Sequence, residues 1–215
     1  MQEDPYQPSE TQIEYPEQPR PKPVKKSTGL LKSFLSIFEF FATVSILVFI
    51  ILGFGLQSYH VVGSSMVPTL HEKDRLLISK LGRTVSRVKK ADFLPERGEI
   101  IVFKSPTENG LQLVKRVVAL PGERVLLENG KLTVFNDQNP EGFNPDIQYD
   151  PDSDFAYTTG TVDVDVPEGE IFVTGDNRTP GGSLDSRNSL GTVPLENIVG
   201  KLILRILPIN QARSF

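Results

Sequence analysis

Between Glu39 and His60 the chain runs for 20 residues, Phe40 to Tyr59, without a charged side chain. Coiled as a helix, such a run measures about 30 Å, the thickness of a bilayer's hydrocarbon core. Backbone polar groups in lipid must be satisfied within the segment itself, which a single run achieves only as a helix. The run therefore predicts a transmembrane anchor over 34–59, from which the rest of the fold hangs. A cleaved leader is the competing reading, but leaders have a shorter apolar region and a small-residue cleavage pattern, and Gly53 to His60 (GFGLQSYH) offers no Ala-x-Ala. Arg20, Lys22, Lys25, Lys26 and Lys32 precede the run and nothing comparable follows it closely. The positive-inside bias then puts the N-terminus in the cytoplasm and residues 60–215 on the extracytoplasmic side.

Ahead of the basic cluster, Glu3, Asp4, Glu10, Glu14 and Glu17 stand among Pro5, Pro8, Pro16 and Pro19. Prolines deny this stretch helix and sheet, so 1–33 reads as a disordered cytoplasmic tail, acidic and proline-rich and then basic. The 215 residues, 38% hydrophobic, suffice for one ordinary domain beside the anchor. A net charge of −4 with no long basic block argues against a nucleic-acid partner. The chain has no cysteine and only His60 and His71, which leaves no thiol chemistry and no basis for a histidine-rich metal site.

The exported part carries strand signals and few helix signals. Gly98–Lys104, Leu111–Leu120, Arg124–Leu127, Lys131–Phe135 and Glu170–Thr174 are short apolar or β-branched runs bounded by Gly, Pro, Asn or Asp. Asn129-Gly130 suits a two-residue hairpin turn, because both residues tolerate positive φ. The fold class expected is mainly β: an antiparallel β-sheet domain on one N-terminal transmembrane helix. Residues 136–160, rich in Pro and Gly, read as an irregular surface excursion.

Just past the anchor, VVGSSMVPTL (61–70) sets Ser64 and Ser65 between Gly63 and Pro68. A serine hydroxyl attacks only when a neighbour takes its proton. His71 sits in a polar, turn-like setting and His60 at the membrane boundary, where an amphipathic ring is at home. Lysine is the alternative base, provided burial disfavours its charged form. On the strand 111–118, Lys115 shares its face with Leu111, Leu113 and Val117, whereas Arg116 falls on the other face. Lys73, Lys80 and Lys104 compete from more polar positions, and a strand lysine that snorkels to solvent is the bland alternative.

Several motifs then fall in one order. Ser65-Met66-Val67-Pro68-Thr69, Lys73–Ile78, Arg97–Phe103, Lys115–Glu123 and Gly175-Asp176-Asn177-Arg178, followed by Ser183-Leu184-Asp185-Ser186-Arg187 and Gly191–Pro194, resemble the motif series of the bacterial type I signal peptidases. These are membrane-anchored serine peptidases of the Ser/Lys dyad type, and the resemblance implies that the membrane is the cytoplasmic (inner) one. The resemblance runs from the anchor to about residue 205. It implies a β-sheet catalytic domain that uses no cofactor and cleaves signal peptides from exported preproteins at small-x-small sites. It implies Ser65 as nucleophile through an acyl-enzyme, Lys115 as general base, and the Ser65 backbone amide as oxyanion donor. Gly63 stands where one branch of the family has a second, hydroxyl donor. Gly175 and Asp176 belong to the closing block, Ser183 resembles a serine that hydrogen-bonds the lysine, and Asp185 with Arg187 resembles a supporting ion pair. Thr179-Pro180-Gly181-Gly182 makes the spacing before Ser183 two residues longer than the family pattern. By position, Tyr59, Val61, Met66, Leu70, Leu113 and Val114 are candidates for the substrate pocket, with core packing as the alternative. The partners implied are preprotein signal peptides, membrane lipid and the secretion machinery. Rival readings are a dyad relative that matures conjugation proteins or cleaves itself as a repressor, and a tethered β domain that only binds exported chains.

Overall fold

The structure is a computed structural model that describes residues 28–50, 53, 55–149 and 157–215. It divides into two compact units, Met1–Val44 and Ser45–Phe215. Within the first, the described chain is helical: α1 spans Thr28–Ile50 and ends a few residues into the second unit. Its stretch Lys32–Phe49 is long and apolar enough to cross a membrane. Phe34, Leu35, Phe38, Phe41 and Phe49 are exposed along it, as an apolar surface meant for lipid would be.

These bounds differ from the 34–59 read from charge spacing. The helix starts earlier, because Leu30, Leu31, Phe34 and Leu35 extend the apolar pattern past the isolated Lys32 and Glu39. At its far end Leu56–His60 is not helix but a strand, β1, recruited by backbone pairing with the strand that follows. Residues 28–33, read as tail, belong to α1, and the rest of that tail lies outside the described residues.

The second unit is antiparallel β. After β1 come β2 (Arg75–Ser79), β3 (Ile100–Lys104), β4 (Gln112–Ala119), β5 (Arg124–Glu128), β6 (Lys131–Asn136) and β7 (Asn139–Phe143). β8 (Val162–Asp165), β9 (Glu170–Thr174), β10 (Val193–Pro194), β11 (Ile198–Leu207) and β12 (Arg213–Ser214) complete the set. One sheet has the order β1-β2-β11-β3-β4-β9-β10, with β12 paired to β11, and a smaller one has the order β7-β6-β5-β8. The hairpin at Asn129-Gly130 forms as its sequence requires: φ is 52° and 80° there, and Glu128 faces Lys131.

Two helices interrupt the strands. α2 (Leu81–Lys89) follows β2, and α3 (Asp146–Tyr149) lies inside the region read as an irregular excursion. The described part of that region is also more regular than its prolines suggest. Asn139–Phe143 pairs with β6, and Asp146 is buried against Arg178. Pro140 is tolerated because β7 ends its sheet.

Three apolar clusters fill the unit. Ile101, Phe103, Val117, Ile171 and Val193 build the first; Val61, Met66, Leu70, Leu76 and Ile78 the second; Val125, Leu127, Val134 and Phe172 the third. β4 runs through the middle of the larger sheet and feeds all three, through Val117, Val114 and Val118. From Lys115 onward the side chains of β4 are therefore cut off from water, which sets the electrostatics of Lys115.

Candidate active site

Ser65 lies in the turn after β1, and its shape follows from local bonds. The Val67 N–H donates to Ser64 O at 3.2 Å and the Leu70 N–H to Met66 O at 2.8 Å. Met66 and Leu70 are buried in the second cluster and pin the turn from below. Gly63 has φ of 89°, in the left-handed region that glycine tolerates best, and the space where a side chain would stand is open. That conformation suits glycine and would strain a hydroxyl-bearing residue in its place.

Across from the turn, Lys115 reaches in from β4. Its Nζ is 2.7 Å from Ser65 Oγ and donates to Val114 O at 2.9 Å. Lys115 is 1% exposed. Burial pushes its pKa down from 10.5 to about 8; the Asp185 and Asp176 carboxylates pull the other way, and the Arg187 guanidinium adds to the depression. The rival bases are elsewhere. His60 meets Arg75, His71 uses its backbone N–H on Asp74, Lys73 occupies a left-handed turn position, Lys80 precedes α2 and Lys104 is exposed at the end of β3.

The stretch 175–178 after β9 holds the two sides together, each residue by a different bond. The Gly175 N–H donates to Asp185 Oδ2 at 2.8 Å. Asp176 takes both arms of Arg116, at 2.8 and 2.6 Å. The Asn177 N–H donates to Ser65 O at 3.0 Å, and its Nδ2 to Ser64 O at 3.2 Å. Arg178 makes a two-armed pair with buried Asp146 and donates through Nε to Gly175 O. Asp185 is fully buried and paired with Arg187 through both oxygens. Burial would raise the Asp185 pKa, but the Arg187 guanidinium and the Gly175 N–H outweigh it and hold the carboxyl below its usual range.

Of the expected residues, Ser65, Lys115, Gly63, Gly175, Asp176, Asp185 and Arg187 come together here. Ser183 departs from expectation. Its Oγ is buried beside Gly175 and is not bonded to Lys115; the group it leans on is the Asp185 carboxyl, which it helps hold down. The two-residue-longer approach, with Thr179, Pro180 and Gly181 exposed, is the local difference that accompanies this.

The six pocket candidates divide. Val61, Met66 and Leu70 are core, with Tyr59 and Val114 packed onto the same cluster. Leu113, one residue along β4 and on its opposite face, packs on the first cluster instead. Sequence reading assigned no role to Asn177, to the Arg116–Asp176 pair or to the Arg178–Asp146 pair. The first two lay inside quoted motifs, but Asp146 lay in a stretch read as irregular and gave no signal.

Gly175 makes the arrangement testable. A Cβ there would stand 2.2 Å from Ser183 Oγ and 2.3 Å from Ser65 O. The second of these is backbone and cannot swing away. Gly175→Ala is expected to push Ser65 out of line with Lys115 and cut turnover by about 100-fold, as a misplacement of about 1 Å does. Steady-state kinetics on a folded variant checks this, and unchanged turnover would count against the contact.

Known proteins resemble this chain over most of its length. Residues 34–207 match the family described as signal peptidase, peptidase S26. A signal peptidase I of Bacillus licheniformis is 31% identical over 191 residues, covering 88% of this chain and 97% of its own length. Signal peptidase I P of Bacillus subtilis subsp. natto is 34% identical over 169 residues, or 78% of this chain and 86% of that one. A signal peptidase I of Leptolyngbya laminosa is 30% identical over 207 residues, or 90% and 91%. A lysine buried against a serine on an antiparallel sheet, and a match that extends over most of the chain, lead to one conclusion: the chain belongs to the signal peptidase family, peptidase S26.

Proposed function

We propose that the chain is a membrane-anchored serine endopeptidase that removes N-terminal signal peptides from exported preproteins, with Ser65 as nucleophile and Lys115 as general base. The observation that carries the dyad is the 2.7 Å contact between Ser65 Oγ and a buried Lys115 Nζ. A neutral amine has two hydrogens and one lone pair. Val114 O takes one hydrogen, which leaves the lone pair for the Ser65 hydroxyl proton. Ser65 Oγ then bonds to the scissile carbonyl carbon as its proton moves to Nζ. The tetrahedral oxyanion is met by the Ser65 N–H, which the turn's own bonds leave unused. Nζ passes the proton to the departing amine and an acyl-enzyme remains. Water attacks it, Nζ takes the water proton, and that proton returns to Ser65 Oγ.

Asp185, Arg187 and Asp176 hold the frame around the base, and Gly175 permits the close approach of Ser65. Small side chains before the cut rest against the edge of the second cluster, beside the half-buried Tyr59 and Val114. The helix α1 crosses the cytoplasmic membrane with its N-terminus in the cytoplasm and the catalytic unit outside, where preproteins emerge from the secretion machinery. Tethering raises the effective concentration of membrane-held substrate.

The test is incubation of the purified protein in detergent with a preprotein bearing an Ala-x-Ala site. A cut directly after the second alanine is the expected outcome. Retention of the intact preprotein would favour a tethered binding domain instead, and a cut elsewhere would favour a relative of different specificity.

A further inference from the structure

α2 is built the wrong way round for a helix in water. Leu81, Val85 and Val88 fall at i, i+4 and i+7, one stripe of the helix, and they are 55, 49 and 79% exposed. Its polar flank is the less exposed one: Arg83, Thr84 and Ser86 are half-buried, while Arg87 stays exposed. Arg83, Thr84 and Arg87 join Lys80, Lys104, Gln57, Tyr59 and Val199 around a recess of about 340 Å³. Burial, and then the nearby Arg87 charge, hold Arg83 below the usual arginine range, with Glu196 as the acid that faces it. Nothing in α2 is fully buried; it packs chiefly on β11, with Gly82 against Phe93. A surface helix normally buries its apolar stripe and shows its charges to solvent. A stripe left outward in this way marks a surface that meets an apolar medium or partner.

The charge and the chain path identify that medium. Lys80, Arg83, Arg87, Lys89 and Lys90 are five cations within residues 80–91, with no acid among them. The Lys80 N–H donates to Gly55 O at 2.8 Å, and Leu81 packs against Gly55. Five chain steps separate Gly55 from Ile50, the last residue of α1, a reach of at most about 18 Å. Wherever the apolar helix leaves the bilayer, the start of α2 lies close by. We propose that α2 rests on the anionic lipid surface, with Leu81, Val85 and Val88 in the acyl boundary and Lys89 and Lys90 among the headgroups. This rests on the reading of α1 as a membrane anchor. A second contact removes the freedom to swivel that a single anchor leaves, and so orients the catalytic unit over the membrane.

The chain has no cysteine, so Val88→Cys carries a single environment-sensitive dye on the full-length protein, with exposed Glu108→Cys as control. Both are placed in vesicles of phosphatidylcholine alone or mixed with phosphatidylglycerol. Expected is shielding of the Val88 dye from aqueous iodide in the mixed vesicles and not in phosphatidylcholine, with the Glu108 dye quenched in both. Lys89→Gln and Lys90→Gln are each expected to lower the ratio of immersed to exposed dye about fivefold. Quenching of the Val88 dye that is equal in the two compositions would overturn the proposal. So would shielding that appears only in native membranes, which would assign the stripe to a protein partner. Alkaline carbonate separates the two readings. A chain washed from the vesicles would overturn the anchor and this inference with it, whereas a retained chain with Val88 open to iodide would overturn this inference alone.

Discussion

Ser65→Ala is expected to lower kcat for preprotein cleavage by about 10⁴-fold or more, the scale on which serine peptidases lose activity with their nucleophile. The loss should fall on kcat and leave KM and folding nearly unchanged. The hydroxyl's hydrogen bond is to Lys115 alone among the described residues, and that lysine keeps its bond to Val114 O. Ser64→Ala is the internal control. Its neighbour's place in the turn depends on the Ser64 carbonyl, which accepts from the Val67 N–H and from Asn177 Nδ2, and both bonds survive removal of the exposed side chain. Turnover by Ser64→Ala at the level of the unmutated protein, beside an inert Ser65→Ala, would separate two serines that their sequence context barely distinguishes. Residual cleavage by Ser65→Ala above that of buffer would remove Ser65 from its role.

The strands were legible because local chemistry decides them. The run Glu170–Thr174 forms β9 with the bounds its composition suggests, and the Asn129-Gly130 turn needs only two residues that accept positive φ. Lys115 on an apolar strand face was legible for the same reason, since alternation on one strand is a local fact. What pairs with a residue from a distance was not. Asp146 sits among prolines and glycines and gives no sign that it lies buried against Arg178. Leu56–His60 has the composition of an anchor's last turn and becomes a strand only because β2 offers it a ladder. Leu113 and Val114 are adjacent in sequence and were grouped in one pocket, yet the sheet sends them to different clusters. α2 was missed because its apolar residues are too few and too widely spaced among cations to stand out as a core-facing helix, and they do not face the core.

The second large effect concerns the base itself, and it separates activity from stability. With Lys115 at about 8, kcat/KM should rise with pH through that value, because only the neutral amine accepts the serine proton. Two pH units below it about one amine in a hundred is neutral, so activity at pH 6 should lie roughly 100-fold under the alkaline plateau. A midpoint near 10.5, or a flat profile, would show that burial is not what activates this lysine. The same burial acts on the fold with a definite sign. The folded value lies below the unfolded one of 10.5, so between about 8 and 10.5 the unfolded chain binds more protons and stability rises with pH. Below about 8 the fold bears the full penalty, about 3 kcal/mol for a shift of this size. Lys115→Met keeps the length and apolar stem of the side chain and removes the charge. It is expected to abolish cleavage while raising the unfolding free energy at pH 7 by up to about 3 kcal/mol, less what the lost bond to Val114 O contributes. Unfolding in detergent at pH 7 and pH 10 checks this, since the advantage of the methionine variant should shrink at the higher pH, where the unmutated lysine is neutral at little cost. A methionine variant less stable than the parent at pH 7 would mean that the Lys115 contacts outweigh its desolvation, and that the low pKa has another source.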